Sequence, residues 1–296
     1  MRRSIGNEGF ILVSVIWIAG LIAIVASNFA VAVSLHVRGE ANLAGSMEAE
    51  FAADGLVRLI AFRLASASVA QSRQGAPTDG ELVRCSFDGG RSATVAVQDQ
   101  GGLLDLNRAS LQALAALIGK ATRSGSDPLS LAEAIADFRD SDDVRLGVTK
   151  GGPEEGLVAG GPGMKNAPFQ SVDEIEQVIP ADMADLHALK RLFTVYSHED
   201  GIDLSAAPAE LRSMIDGGGD KLSAAIPIAP SQHKSFAIDA EVAATDGSRF
   251  RRSTVVAILS EPRRPFAELE WRQSSGFPAE QANTSSSQAC EELAFN

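Results

Sequence analysis

The feature that most constrains this chain is an uncharged apolar run near its N-terminus, over residues 10–35. At about 1.5 Å of rise per residue, a helix of this length can cross a hydrocarbon core of roughly 30 Å. Arg2 and Arg3 precede the run, and basic residues before a span favour an N-terminus in the cytoplasm. The sequence therefore predicts a single membrane-spanning helix, with the rest of the chain on the far side.

Three interpretations of this segment are open: a cleaved secretory signal, an uncleaved signal anchor and a prepilin-type leader. A secretory signal has a shorter apolar core before a small-x-small site, for which Ala26 and Ala30 make a weak case. The prepilin interpretation places the cut between Gly9 and Phe10, so the apolar helix stays on the mature protein. The sequence Gly9-Phe10-Ile11-Leu12-Val13 resembles the cleavage region of type IV pilins and pseudopilins.

The fifth position after the predicted cut departs from the usual pilin pattern. Most pilins carry Glu there, which is thought to pair with the N-terminal amine of a neighbouring subunit, whereas this chain has Ser14. An unpaired charge in lipid is costly. The serine therefore either weakens the pilin interpretation or marks a subunit with no neighbour ahead of it, at the tip of a filament.

Composition excludes several classes of function. The net charge is -12, and an acidic chain is a poor general binder of nucleic acid or anionic lipid. The two cysteines, Cys85 and Cys290, form no zinc motif, but they allow one disulfide in an extracytoplasmic domain. No nucleophile elbow, Walker loop or dinucleotide fingerprint is present. We therefore expect neither an enzyme nor a protein with a small-molecule substrate.

Beyond the apolar run, the pattern predicts a helix, two separated hairpins and short helices between the hairpins. The helix continues to about residue 70, with its large apolar residues on a core-facing side: Leu43, Met47, Phe51, Leu59, Ile60 and Leu64. Alternating residues predict one hairpin around 83–97 and another around 236–259, where Asp246-Gly247 forms the turn. The polar residues after about 262 are predicted to be mostly disordered.

Four segments in the same order resemble protein K of type II secretion (general secretion pathway protein K), the largest minor pseudopilin. They are Gly101-Gly102-Leu103-Leu104-Asp105-Leu106-Asn107, residues 136–143, residues 165–171 and residues 192–197. The missing glutamate at Ser14 also suits this family, which commonly lacks it. The resemblance implies an α+β fold, in which a pilin-like long N-terminal helix and a small antiparallel sheet carry a large α-helical domain inserted between the strands.

On this basis we expect a leader (1–9), a transmembrane part of the helix (10–35), a periplasmic helix with the first hairpin (36–100), an inserted helical domain (101–230), the second hairpin (231–261) and a disordered tail (262–296). The resemblance implies a single-pass inner-membrane protein with a periplasmic body. A prepilin peptidase would cleave it, and Phe10 would be N-methylated. Its role would be at the tip of the pseudopilus, with minor pseudopilins I, J and H, in export of folded proteins across the outer membrane.

Two alternatives to this role are open. One is a signal-anchored periplasmic protein that binds DNA or another ligand, because residues 169–192 resemble a helix-hairpin-helix unit that in other proteins holds DNA. Such units need a basic hairpin, whereas this one carries Asp173, Glu174, Glu176, Asp182 and Asp185, so we expect no nucleic acid. The other is a minor pilin of a type IV pilus, which differs in the machine and not in the chemistry.

An acidic loop follows the predicted helix that ends near Phe138. Asp140, Asp142 and Asp143 oppose one another and the helix dipole there. Water with Arg139, Arg145 and Lys150 could offset this charge, and so could Ca²⁺, with Glu154 and Glu155 completing the ligands. The resembled family binds calcium in this region, but residues 147–163 here are glycine-rich and lack its expected tyrosines. Calcium is the one cofactor that we expect.

Overall fold

The fold starts from one continuous helix, α1 (Glu8–Ala70), of 63 residues. The computed structural model describes residues 8–70, 77–87, 91–121, 127–141, 165–179, 186–274 and 277. No proline occurs between Glu8 and Ala70, so nothing in the backbone chemistry interrupts the helix. Its length is about 95 Å at 1.5 Å per residue, which is far more than a bilayer requires.

Five antiparallel strands form the sheet on which α1 packs, in the order β1-β2-β5-β6-β7. They are β1 (Asp79–Ser86), β2 (Ser92–Asp99), β5 (Ser235–Ala243), β6 (Arg249–Glu261) and β7 (Arg264–Gln273). Side chains of β2 alternate strictly between buried and half-buried, because successive residues of a strand point to opposite faces. The inner face of the sheet and α1 enclose one hydrophobic core, around Val57, Ile60, Val95 and Ile238.

The last strand corrects the predicted tail. Disorder was predicted from about residue 262, but Arg264–Gln273 form β7 and pair along β6. Strand β7 is at the edge of the sheet, and its side chains are half-buried or exposed. An edge strand of this kind has no run of buried apolar residues, so its composition is close to that of a polar tail.

The chain between β2 and β5 folds around a second hydrophobic core. Its elements are β3 (Leu104–Asp105), α2 (Leu111–Ala121), α3 (Pro128–Arg139), a 3₁₀ helix (Val172–Gln177), α4 (Leu186–Lys190), β4 (Phe193–Thr194), α5 (Ala209–Asp216) and α6 (Gly219–Ala225). Strands β3 and β4 pair in parallel. Asp127 caps α3 through its side chain, with Pro128 as the first helical residue, which is the helix start that an Asp-Pro pair predicts.

Two aspartates occupy equivalent turns in this inserted domain. Asp105 Oδ1 accepts a hydrogen bond from the Asn107 N–H at 2.8 Å, and Asp203 Oδ1 accepts one from the Ser205 N–H at 2.8 Å. The first turn precedes α2 and the second precedes α5. Residues 105–109 (Asp-Leu-Asn-Arg-Ala) and 203–207 (Asp-Leu-Ser-Ala-Ala) are similar in sequence, and this similarity reflects the same local structure.

Long helix, antiparallel sheet and inserted helical domain together confirm the predicted α+β, pilin-like fold. The sheet and the insert keep separate hydrophobic cores, and α1 lies against the sheet. The exposed length of α1 is therefore the part of the molecule to consider first as a functional surface.

Candidate assembly surface on the N-terminal helix

The first half of α1 presents apolar side chains to the outside on every face. The exposed large residues between positions 12 and 35 are Leu12, Val13, Val15, Ile16, Trp17, Ile18, Leu21, Ile22, Ile24, Val25, Phe29, Val31, Val33 and Leu35. Within the described residues, α1 is the one helix long and apolar enough to span a membrane. Apolar area left in water is unfavourable by about 25 cal/mol per Å², so lipid or other helices must cover this half.

The residues of the predicted processing site lie at the start of α1. The helix begins at Glu8, so the backbones of Gly9 and Phe10 are in its first turn. Ser14 follows in the second turn, and the uncharged run holds no carboxylate that could replace the missing glutamate. Deeper in the run, the Asn28 side chain donates to the Ile24 carbonyl at 2.9 Å. This bond satisfies one N–H of the amide within its own helix.

Beyond the apolar run, small residues form the face of α1 that contacts the sheet. They recur every four positions, and all are buried: Gly45, Ala49, Ala53, Val57, Ala61 and Ala65. Residues four apart share a helix face, and small side chains let the backbone of α1 approach the sheet closely. We call this face the inner ridge.

The closest approach is at Gly45. A Cβ built on this residue would lie 1.8 Å from Asp246 Oδ2 and 2.8 Å from Ser248 Oγ. Asp246 is in the turn between β5 and β6, where it accepts hydrogen bonds from the N–H and the hydroxyl of Ser248 at 2.9 Å each. The pKa of Asp246 is lowered by the same two bonds to Ser248. The turn thus rests directly on the helix backbone.

Large apolar residues occupy the opposite face, which corrects the predicted orientation of the helix. Leu43 is 62% exposed, Met47 46%, Phe51 68% and Phe62 54%. Leu43, Met47 and Phe51 are four residues apart, and Phe62 follows three turns later on the same side. Leu59 is also exposed, so of the six residues predicted to face the core, Ile60 alone is fully buried.

We call Leu43, Met47, Phe51 and Phe62 the outer stripe. The inner ridge could have been found in the sequence from its spacing of four, but large apolar residues mask it when the pattern is scored by hydrophobicity. Close packing selects small side chains at the contact, which leaves the large ones outside. The outer stripe extends the exposed apolar surface of α1 beyond the residues that a bilayer could cover.

A buried arginine fixes α1 on the sheet. Arg252 is on the inner face of β6 and donates through Nε to Asp54 Oδ1 at 2.6 Å and through Nη2 to Glu50 Oε1 at 3.1 Å. Its guanidinium also lies 4.8 Å from the centre of the Trp271 ring. Arg58 contacts the same ring at 4.3 Å and pairs with Glu268 at 3.2 Å. These contacts to β6 and β7 determine which side of α1 faces the sheet and therefore which side carries the outer stripe.

Most of the predicted calcium site lies outside the described residues. Asp140 caps the C-terminus of α3, and its N–H donates to the Ala136 carbonyl at 3.2 Å. Asp142, Asp143, Glu154 and Glu155 fall in the part that is not described. Among the described residues, no group of three or more His, Cys, Asp or Glu side chains could hold a metal. Calcium binding stays a prediction.

Arg139, predicted as an offset to the acidic loop, is turned towards the protein body. Its guanidinium donates to the carbonyls of Leu106 and Ala109. Burial lowers the pKa of Arg139, while the carboxylates of Asp105 and Asp140 act in the opposite direction. Its hydrogen bonds thus anchor the end of α3 on the turn after β3.

The acidic residues of the helix-hairpin-helix-like segment are paired with cations of the same molecule. Lys190 lies 2.5 Å from Asp173 Oδ1 and 2.7 Å from Glu176 Oε1, and Lys165 lies 2.7 Å from Glu174 Oε2. The hydrogen bond from Lys190 lowers the pKa of Asp173. Burial acts to lower the pKa of Lys190, but its bonds to Asp173 and Glu176 outweigh burial and raise it. Asp182 and Asp185 lie outside the described residues.

Comparison with known proteins reveals a structural relative. No protein-family model and no curated protein matches the sequence. A chain in the crystal structure of the GspK-GspI-GspJ complex from the type 2 secretion system of enterotoxigenic Escherichia coli matches with a TM-score of 0.55. The match covers 81% of this chain and 100% of that chain, at 13% sequence identity.

This chain has a GspK-like fold. The resemblance proposed from four short segments is therefore supported by the path of the chain over most of its length. At this identity the likeness is one of fold, so what the molecule does must be argued from its own surfaces.

Proposed function

We propose that this protein is a minor pseudopilin at the tip of a type II secretion pseudopilus, where it assists assembly and the export of folded proteins across the outer membrane. The observation that carries the proposal is the length of apolar surface on α1. A membrane anchor needs about 20 apolar residues, which residues 10–35 already supply. The outer stripe extends this surface to Phe62, and a simple anchor has no use for it.

The outer stripe suits a neighbouring helix. Its members recur at helical spacing on a rod that the inner ridge and Arg252 hold against the body. Helices that pack along each other bury such apolar rows. The partners that we propose are the minor pseudopilins I and J, with pseudopilin H below them. In the solved structure that resembles this chain, GspK forms a complex with GspI and GspJ.

The proposed orientation has the N-terminus in the cytoplasm and the body in the periplasm of an inner-membrane protein. Arg2 and Arg3 on the short N-terminal side support it. Cys85 is disulfide-bonded, and disulfides persist in oxidising compartments such as the periplasm. Ser14 supports the tip position, since the chain offers no carboxylate to the amine of a subunit above it.

The contact is tested by purifying full-length protein with pseudopilins I and J in detergent. We expect Phe51→Glu to reduce the partners recovered by at least about tenfold, because a charge at the contact is costly to desolvate. The matched control is Leu129→Glu on α3, a similarly exposed apolar residue away from the outer stripe. If wild-type protein recovers no partner, or if both variants recover them equally, the proposed assembly role is wrong.

Processing has a separate test. We propose that a prepilin peptidase cuts between Gly9 and Phe10 and that Phe10 is then N-methylated. N-terminal sequencing of protein made with the peptidase should start at Phe10, whereas protein made without it should start at Met1. A start at Met1 in both, or a cut after a small-x-small site near Ala26 or Ala30, would contradict the pseudopilin proposal.

The proposed calcium site is tested by titration calorimetry of the purified protein with Ca²⁺. We expect heat of binding that Asp142→Ala removes, because each lost carboxylate weakens a hard-cation site. An absence of heat for the wild-type protein would rule out the calcium site. Water and the nearby cations would then be what offsets the charge of the acidic loop.

A further inference from the structure

An exposed glycine lies in the middle of the outer stripe. Gly55 follows Phe51 by four residues and precedes Phe62 by seven, so all three share one face of α1. A Cβ built on Gly55 would meet no atom of the described residues within 4 Å. Gly45, by contrast, must be small because the turn between β5 and β6 lies against it. The described contacts within this molecule therefore give no reason for a glycine at position 55.

A glycine at this position weakens the free protein. Within a helix, glycine is less favourable than alanine because it loses more backbone freedom on folding. Position 55 is inside a continuous helix of 63 residues, and its backbone is not in the left-handed region that favours glycine. A residue that costs stability and that the fold does not use points to a contact outside the fold.

Large apolar side chains border Gly55 on the outer surface of α1. Phe51, Leu59 and Phe62 are all exposed, and they lie four residues before, four residues after and seven residues after the glycine. On a helix these positions surround one site. The missing side chain leaves a notch between three apolar walls, which we call the Gly55 notch.

Two charged residues that flank the Gly55 notch are paired with the body of the molecule. Arg58, three residues after the glycine, lies 4.3 Å from the centre of the Trp271 ring. Glu48, seven residues before it, pairs with Arg91 at 3.5 Å. Because both side chains are drawn towards the sheet, the notch is lined by apolar groups. A charged or polar occupant would lose water there without gaining a partner, so the notch fits an apolar side chain.

We infer that the Gly55 notch receives one large aliphatic or aromatic side chain from the α-helix of a neighbouring pseudopilin and fixes the place where the two helices cross. This inference rests on the proposed function and goes beyond it, since it names the contact that sets the register of the pair. Helices that pack side by side insert a side chain of one into a hole between four residues of the other. Residues 55, 58, 59 and 62 have the spacing of such a hole, and a glycine in it lets the two backbones approach closely.

The occupant is a helix because of how the notch is connected to the rest of α1. The outer stripe continues the exposed apolar surface of residues 10–35. A partner that covers both surfaces must cross the bilayer beside α1, and a single segment that crosses a bilayer does so as a helix. Gly55 is 20 residues after Leu35, which is about 30 Å along the helix axis. The partner helix must therefore extend at least that far beyond the bilayer, as α1 does.

Side-chain size at position 55 tests the notch by co-purification of the full-length protein with pseudopilins I and J in detergent. We expect Gly55→Leu to reduce the partners recovered at least about tenfold and Gly55→Ala about threefold, because an added side chain overfills the contact. The midpoint of thermal unfolding of each variant alone should not fall, since leucine and alanine are better helix formers than glycine. Gln112→Leu, which adds the same side chain at an exposed position of α2, should change neither quantity.

The outcomes separate failure of the notch from failure of the proposed function. If Gly55→Leu recovers as much partner as wild type while Phe51→Glu does not, the notch is wrong and the assembly role stands. A lower unfolding midpoint for Gly55→Leu would show that the glycine acts inside the fold and would overturn the inference. If wild-type protein recovers no partner, both proposals are wrong.

Photo-cross-linking identifies the occupant of the notch. A photo-reactive benzoylphenylalanine placed at position 51 should cross-link to the N-terminal helix of pseudopilin I or J, and Gly55→Leu should reduce the yield. Cross-links to a second copy of this chain, or to a part of the partner that is not its helix, would overturn the assignment of the occupant.

Discussion

The same sheet is joined to two parts of the molecule by two different kinds of contact. Against α1, the contact is an apolar one built from the inner ridge, with Arg252 as a buried ionic lock. Against the inserted domain, the contacts are polar: Asp99 binds His233 and Ser231, Tyr196 donates to Glu270, and Arg272 pairs with Asp173.

The two contacts differ in whether the parts they join share a hydrophobic core. α1 and the sheet share a single hydrophobic core, whereas the insert has its own. Burial and the hydrogen bond to Glu270 raise the pKa of the Tyr196 phenol, so this donor stays protonated well above neutral pH. The first joint should therefore depend on packing, and the second on charge and hydrogen bonding. The sheet is held rigidly on α1, and the insert is attached to the sheet as a separately folded domain. This arrangement would suit a subunit that is fixed in place through α1.

The largest expected effect comes from removing the ionic lock. We expect Arg252→Ala to lower the free energy of unfolding by about 3 kcal/mol, because Asp54 and Glu50 lose their partner beside a core. Arg91→Ala is the matched control, since Arg91 also pairs with an acid of α1, Glu48, at 3.5 Å, but both side chains are half exposed. Its loss should be under about 1 kcal/mol.

Urea unfolding of the full-length protein in detergent, followed by circular dichroism, measures both variants. Similar small losses for the two arginines would mean that the buried position of Arg252 adds nothing, and the joint between α1 and the sheet would then depend on apolar packing alone.

Two glycines of α1 give a smaller but opposed pair of effects. Gly55 faces open space, since a Cβ built on it would meet no atom within 4 Å, so Gly55→Ala should stabilise the helix by about 0.5–1 kcal/mol. Gly45→Ala gains the same helix propensity but must displace Asp246 from its bonds to Ser248, so we expect a net loss of about 1 kcal/mol. Thermal unfolding of the two variants measures the difference, and an equal gain in both would show that the turn yields freely.

Prediction from sequence succeeded where one local signal sufficed. The apolar run, the Asp127–Pro128 helix start and the Asp246-Gly247 hairpin each depend on neighbouring residues, and the structure shows all three. The predicted orientation of α1 was wrong because hydrophobicity alone cannot distinguish a face that packs closely on the sheet from one that stays exposed. Ala53 is fully buried while Phe51 is exposed.

Long-range contacts account for the other differences. Strand β7 forms because it can pair along the edge of β6. No local pattern in residues 264–273 predicts this pairing. Likewise, Arg252 meets Glu50 and Asp54 across some 200 positions. Of the candidate site, the sequence predicted the membrane half of α1, but the outer stripe depended on knowing which side the sheet would occupy.

The smallest effect belongs to the polar joint and depends on pH. Hydrogen bonding to Lys190 within the insert and, across the joint, the ion pair with Arg272 lower the pKa of Asp173 in the folded protein. The contribution of Asp173 to stability is therefore present above the unfolded value of about 3.9 and is lost as pH falls through the lower folded pKa. Asp173 is half exposed, so Asp173→Asn should cost less than about 1 kcal/mol at pH 7. The difference between variant and wild type should stay constant down to about pH 5, disappear in stronger acid and shrink in 1 M salt.

Urea titrations at pH 7, 5 and 3 measure this difference in the free energy of unfolding. Asp200→Asn is the control, since Asp200 is an exposed aspartate paired to Arg108 inside the insert. A difference that survived strong acid would mean that Asp173 acts through packing, and the two joints would then be alike in kind.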